Sequence, residues 1–318
     1  MTETHPALPL DDKLVELRFK LNVGEVNLYT FRLDGKYTSQ NIFALKPLNV
    51  PDDIFTAHPQ LDTPVQYNSL PIEKACNKIQ SNDKLITYFT NSYLHYFVDT
   101  SATLDEYLGS FRSKTRNSLK RKIKKAHKGE GSGVKVVTKK EELRDFLKDA
   151  WIISEKTYQE RLLDFPLPRD EDFIRECEEA MARNELVGIL LYVEGVPAAY
   201  NLCPVYGDGI LLYEYTGYDP AYAKFSAGTV VQYETIKYAF EDPRIKFYDL
   251  CTGEGPHKEL FATGSTLCCD VFIFPKKPKY QFMVWSKSLT DNITNILRAT
   301  LKKIGIKDLI KRAIRRRA

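Results

Sequence analysis

In "LLYEYTGYDPAYAKFSAGTVVQYETIKYAFED", residues 211–242, two kinds of chemistry stand close together. Glu214 sits among apolar neighbours, where an unpaired carboxylate is costly. It is either a carboxyl with a raised pKa, able to take a proton, or a side chain turned to solvent. Further on, Ser226, Ala227, Gly228 and Thr229 open a helical pattern. Small side chains there let an anion reach the free backbone N–H groups, and the helix dipole attracts it. Lys224 adds charge and the preceding stretch is rich in tyrosine. The alternative is an ordinary helix cap, with Gly228 packed closely on a strand. Downstream, "GPHKELF" holds His257 and Lys258. The imidazole titrates near neutrality, and the lysine could hold a carboxylate or phosphate; solvated loop residues are the plainer reading of both. Cys251 reads as a small buried hydrophobe rather than a nucleophile.

The elements that must position these residues follow from periodicity. Val15, Leu17, Phe19 and Leu21 alternate with charged residues, a strand pattern. Residues 26–33 and 41–48 continue a β-rich region, with Asp34-Gly35 as the expected hairpin turn. Four prolines between 51 and 71 exclude a long helix. "KLITYFT" and "SYLHYFVDT" read as strands, and Thr103 with Glu106 forms a capping-box signature for a helix. In the helix after it, Leu119, Ile123 and Ala126 make one thin apolar seam in a coat of Lys and Arg. A short strand at 134–138 and helices at 140–162 and 170–184 come next, the loop between the helices holding Pro166 and Pro168. "LVGILLYV", "VPAAYNLCPVY" and "ILLYEYTGY" then predict three antiparallel strands joined by tight turns, with Tyr213 and Tyr215 on one face. After the 226–238 helix come a strand "IKFYDL", a polar loop 251–264 and a last strand "TLCCDVFIFP".

The net charge of +4 is unevenly placed. Nine basic residues and no acid lie between Arg112 and Lys128, and nine with one acid, Asp308, between Arg298 and Arg317. Without those eighteen of 46 cations and one of 42 acids, the body carries −13. General attraction to nucleic acid is therefore not expected, while local contact with an anion stays open. No stacking aromatics interleave the first run, which also argues against nucleic acid. Six cysteines, two of them adjacent, match neither a disulfide framework nor a zinc site, so reduced thiols and a cytoplasmic compartment are expected, with no metal. The beginning of the chain has no signal-peptide pattern, and the longest apolar run is too short to span a membrane. The tail's Ile296, Leu297, Leu301, Ile304, Leu309, Ile310 and Ile314 among cations suggest either a basic amphipathic anchor over 296–317 on the inner face of the cell membrane, or a helix packed on the body.

As an ordered set, "LDEYLGSFRSKTRNSLKRKIKKA", "YVEGVPAAYNL", "YEYTGYDPAYAKFSAGTVVQYETIKYA" and "FYDLCTGEGPHKELFATG" resemble the GNAT superfamily, and within it the CelD-like and FemAB-like acyltransferases. The resemblance spans roughly residues 103–275. It implies an α/β (α+β) fold, with a GNAT-type mixed sheet flanked by helices and a degenerate GNAT-like or β-rich N-terminal half. The expected organisation is 1–110 for that half, 111–133 for a basic joining helix and loop, 134–280 for the catalytic domain and 281–318 for the basic tail. The implied reaction moves an acyl group from a thioester, acyl-CoA, to an amine on a small molecule or a cell-envelope or polysaccharide precursor. An aminoacyl-tRNA donor, as FemAB relatives use, and a non-catalytic scaffold that binds membrane or a partner are the alternatives. No permanently bound cofactor is implied. Lys224 and Ser226–Thr229 would receive the carrier's pyrophosphate. Asp249 matches the group's acidic position and joins Glu214 and His257 as a candidate proton acceptor; its own alternative is a residue that holds its loop by hydrogen bonds. Tyr215 would donate a hydroxyl, and Tyr213, Tyr218 and Lys258 would contact substrate. Where the group has a Tyr-Lys pair, this chain has His257-Lys258.

Overall fold

The computed structural model describes Leu8 and residues 13–24, 26–39, 41–157, 167–207, 209–253 and 255–303. In chain order its strands are β1 (Leu14–Val23), β2 (Val26–Ser39), β3 (Val65–Pro71), β4 (Ile79–Ser81), β5 (Leu85–Phe89), β6 (Tyr93–Asp99), β7 (Gly133–Val137), β8 (Leu186–Val193), β9 (Val196–Tyr206), β10 (Ile210–Leu212), β11 (Tyr215–Tyr218), β12 (Phe247–Asp249) and β13 (Gly264–Pro275). The α-helices are α1 (Asp52–Ala57), α2 (Leu104–Ser110), α3 (Ser113–Ala126), α4 (Lys140–Ser154), α5 (Glu171–Ala182), α6 (Ala227–Glu241), α7 (Pro256–Phe261) and α8 (Pro278–Lys303), with a 3-10 turn at Pro220–Phe225. The helix expected over 140–162 ends at Ser154, where Glu155 caps it and the chain turns; residues 158–162, Pro166 and the tail from 304 lie outside the described residues.

Contacts divide the chain into two units, Met1–Leu94 with Thr266–Ala318, and His95–Ser265. These limits differ from the sequence boundaries at 110 and 280. His95–Asp99 belongs with the later strands because β6 pairs β12 antiparallel. The basic helix α3 likewise lies inside the second unit rather than joining two halves. Its Leu119 and Ala126 are buried in the same core as Val230 and Ile236 of α6.

In the first unit β1 pairs β2, β2 runs parallel to β3, and β13 lies between β3 and β5. The Asp34-Gly35 turn does not form: β2 passes straight through it, and the reversal falls at Gly24, whose φ is +61°. Gly35 serves packing instead, since a Cβ there would lie 2.5 Å from Leu17 Cδ1 and 2.6 Å from the Pro64 carbonyl. Residues 41–48 form turns rather than a strand, touching the sheet through one bridge, Leu48 to Ile72.

In the second unit β7, β8 and β9 are antiparallel, and β10 runs parallel to β12. The core of α2, α3 and α6 covers one sheet face and that of α4 and α5 the other. Burial on both faces explains why "LVGILLYV" is a continuous apolar run rather than an alternating one. The capping box forms in full at α2: Thr103 Oγ1 accepts from Glu106 N, and Thr103 N donates to the Glu106 carboxylate. Asp170 caps α5 in a similar way, accepting from Phe173 N.

Candidate active site

The expected third strand of the meander is broken. β10 pairs β9 at Ile210–Tyr206 and Leu211–Val205, β11 pairs it at Tyr215–Leu202 through Tyr218–Ala199, and Tyr213 and Glu214 stand between. The break places the side chains. Tyr213 packs with the α6 core, its ring 6.1 Å from Tyr248, whereas Tyr215 packs on the other side of the sheet, 5.4 Å from Phe173 of α5. The two tyrosines therefore do not share a face, because the two residues between the strands do not keep the alternation that would align them.

The break also ends the pairing of β10 with β12 at Leu212–Asp249. Tyr213 N donates to the Asp249 carbonyl at 2.9 Å, after which β11 follows β9 while the other chain turns into the loop before α7. The end of the parallel pairing gathers the predicted groups around Tyr213. Asp249 bonds its backbone, Glu214 follows it, and the His257 ring lies 6.3 Å from its ring. Thr216 Oγ1 donates to its hydroxyl at 3.1 Å.

Glu214 is at the break rather than mid-strand. Although the residue is exposed, apolar surroundings raise its carboxyl above the ordinary value, an effect the Tyr215 hydroxyl partly offsets. Burial of the ring and then the charge of Lys258 lower His257, which favours a neutral imidazole with a lone pair at neutral pH. Desolvation and Glu214's charge push the Tyr215 hydroxyl up, so it stays a donor.

Asp249 is buried, and its Oδ1 accepts from His95 Nε2 at 2.5 Å and from Cys251 N at 2.7 Å. The loop-holding reading of this carboxylate is therefore part of its role, and Cys251, at φ +59°, is the residue it holds. His95 is the group that sequence reasoning missed. It lies 154 residues upstream, outside the stretch taken as catalytic, and is 3% exposed. Its alternation between Leu94 and Tyr96 in a strand was the available signal, since a histidine directed into a core needs a partner. Among the described residues its Nδ1 is buried without one.

Lys258 is not a solvated lysine. It is buried, and Nζ donates to the carbonyls of Thr252 at 2.6 Å and Cys251 at 3.3 Å. Desolvation lowers its pKa. It staples the loop that follows Asp249, which removes it from the residues free to grip substrate. The stretch 251–264 is correspondingly not all loop, because Pro256–Phe261 forms α7 on this staple. Cys251 is inert by geometry and titration: burial, reinforced by Asp249, pushes its thiol up to about 12. The six cysteines are all free thiols.

The residues expected to receive an anion lie at the start of α6. Ser226 stands at φ +58° with no side-chain cap. Val230 N donates back to Ser226 O, while among the described residues the N–H groups of Ala227, Gly228 and Thr229 have no acceptor. Gly228 faces Tyr218: a Cβ added there would meet its ring at 3.2 Å. The glycine packs on the end of β11, as the close-packing reading expects, and its amide has no acceptor among the described residues. Lys224 is exposed, its ammonium 5.0 Å from the Phe225 ring, and Lys125 of α3 donates to the Lys224 carbonyl at 2.8 Å. His127 at the end of α3 reaches Glu234 of α6 at 3.4 Å. The basic helix therefore lies along α6 and brings charge to its positive end.

Residues 113–259 match the model of the acetyltransferase (GNAT) domain family. The match covers 147 of the 318 residues, so the likeness is that of this segment, which lies within the second unit. Among solved structures the chain is similar to FemX, at 14% identity and a TM-score of 0.49 over 85% of this chain and 90% of that one. It is similar to L-PGS from Bacillus licheniformis at 12% identity and a TM-score of 0.46, over 74% of this chain and 76% of the other. It is also similar, at 11% identity and a TM-score of 0.40 over 61% of its length, to a conserved protein of unknown function from Bacteroides thetaiotaomicron, and spans 63% of that protein. At such identities the likeness concerns the fold alone. No curated protein sequence matches the chain.

Proposed function

We propose that the second unit transfers an acyl group from acyl-CoA to the amine of a small molecule or cell-envelope precursor. One observation carries the reading: bare amides at the start of α6, against Tyr218, lie one short strand from the break that presents Glu214. Four residues of extended chain separate Glu214 from Tyr218, about 13 Å, a span suited to a pantetheine arm with its diphosphate at the helix and its thioester at the break. Lys125 and Lys224 add attraction for the diphosphate.

In this reading Glu214 takes the proton of the attacking amine, directly or through water, as nitrogen bonds to the thioester carbon. The tetrahedral intermediate then collapses, the carbon–sulfur bond breaks, and the thiolate leaves to be protonated. His257, neutral beside Tyr213, is the second acceptor in reach. Asp249 positions: it holds Cys251 and His95 and so shapes the break.

Thermal shift and calorimetry with acetyl-CoA, longer acyl-CoAs and aminoacyl-tRNA test the donor. Saturable stabilisation by a CoA thioester, lost on adding salt, is the expected result. A response to aminoacyl-tRNA alone replaces the donor, and no response to any donor leaves a non-catalytic scaffold.

A further inference from the structure

The first unit ends in a helix that is apolar on two opposite sides. On α8 one side carries Tyr280, Met283 and Val284 into the core with Phe19, Tyr88 and Phe274. The other presents Phe282, Trp285, Leu289, Ile293, Ile296 and Leu297 to solvent. Exposure there is 61% at Phe282, 62% at Trp285 and 65% at Ile296, far beyond what a scattered surface hydrophobe needs. The spacing of three and four keeps them in one stripe about 22 Å long. The β1–β2 hairpin meets the same helix, Gly24 N donating to Thr294 Oγ1 at 3.0 Å, and adds exposed Val26 and Leu28 near its tip.

Charge says what covers the stripe. Exposed Lys276, Lys277 and Lys279 stand at its beginning. At its end, nine cations and one acid follow in sequence from Arg298 to Arg317. The single acid of α8, Asp291, is taken by Tyr88, Lys78 and Lys287 on the core side. The stripe thus runs between two cationic ends with no carboxylate exposed along the helix. A second copy of the chain would bring cationic ends together in either the parallel or the antiparallel pairing. An anionic lipid surface complements both ends and accepts Trp and Phe at its interface.

We propose that α8 is a membrane-docking helix which lays Phe282, Trp285 and Ile296 into the interface of an anionic bilayer while cations at both ends bind the headgroups. The proposal extends the basic anchor expected over 296–317 upstream by more than a dozen residues onto an ordered helix of the first unit, and it does not depend on acyl transfer.

Trp285 makes the test direct, because the chain has one other tryptophan, Trp151. In full-length Trp151→Phe protein, Trp285 emission is followed as phosphatidylglycerol–phosphatidylcholine vesicles or phosphatidylcholine vesicles are added, alongside co-sedimentation. A blue shift and co-sedimentation with the anionic vesicles, weakened by salt, are expected. Phe282→Ser with Trp285→Ser should reduce vesicle binding about tenfold or more without altering the melting temperature, since both side chains are exposed. Unchanged Trp285 emission overturns the proposal. So does anionic binding that survives the double substitution, which assigns the tail alone, and so does a dimer in sedimentation equilibrium that the double substitution dissolves.

Discussion

His95 Nε2 and Asp249 Oδ1 meet at 2.5 Å inside the second unit, where β6 lies against β12. The same carboxylate oxygen holds the amide of Cys251, so one buried contact joins the strand that opens the unit to the loop beneath the candidate site. Removing either partner leaves a buried polar group unsatisfied, at a cost of about 1–3 kcal/mol. Urea unfolding of His95→Phe and Asp249→Ala should each show that loss, and the double variant should lose less than the sum. Acyl-CoA affinity should hold while turnover falls, because the pair shapes the break rather than the anion site.

Glu214→Gln should lower kcat by roughly 10²–10⁴ with donor affinity unchanged. Its carboxyl is raised above 4.5, so the acid limb of kcat/KM should fall above that value in the parent protein. In the variant the remaining limb would belong to His257, lowered from 6.5, and His257→Gln should then abolish it. Stopped-flow thiol release across pH separates the two; full activity in Glu214→Gln removes it as the base.

Gly228→Val would press a branched side chain against Tyr218, already 3.2 Å from a bare Cβ, and cover the amides at the start of α6. Calorimetry should show acyl-CoA affinity reduced about tenfold or more, with an amine acceptor's affinity retained.

Glu234 tests the energetics of α6. Burial raises its pKa and the charge of His127 only partly restores it. A folded-state pKa above the unfolded one means stability that is complete below 4.5 and lost as pH rises through the folded value. Glu234→Gln should therefore match the parent near pH 4 and exceed it near pH 8 in urea midpoint.

Gly188→Ala probes the second core. A Cβ there would lie 2.7 Å from Phe146 Cε2, and overpacking of this kind costs about 1–3 kcal/mol. Differential scanning calorimetry should register it as a lower melting temperature without a change in donor affinity.

Local signals were legible wherever the cause was local. The Thr103–Glu106 box, the thin seam of α3, the helix start at Ser226–Thr229 and the strand ending at Asp249 all stand as read. Gly35 was misread because a turn and a close approach use the same residue, and only the neighbours, Leu17 and Pro64, tell them apart. Tyr213 and Tyr215 were misread because alternation is a property of an unbroken strand, and the break between β10 and β11 is made by pairing with two different partners, β12 and β9.

What the chain's order of residues determined alone is the fold class and the placement of charge: a mixed α/β domain, a helix opened by small residues, and net positive charge on two runs in an acidic body. These follow from periodicities and charges within a few turns of chain. The tertiary structure decided which groups meet. It brought His95 to Asp249 across 154 residues, buried Lys258 on its own loop, and turned a second apolar side of α8 outward. Such outcomes depend on which distant strands pair and which helix faces are covered, and no local spacing specifies the partner that chain closure supplies.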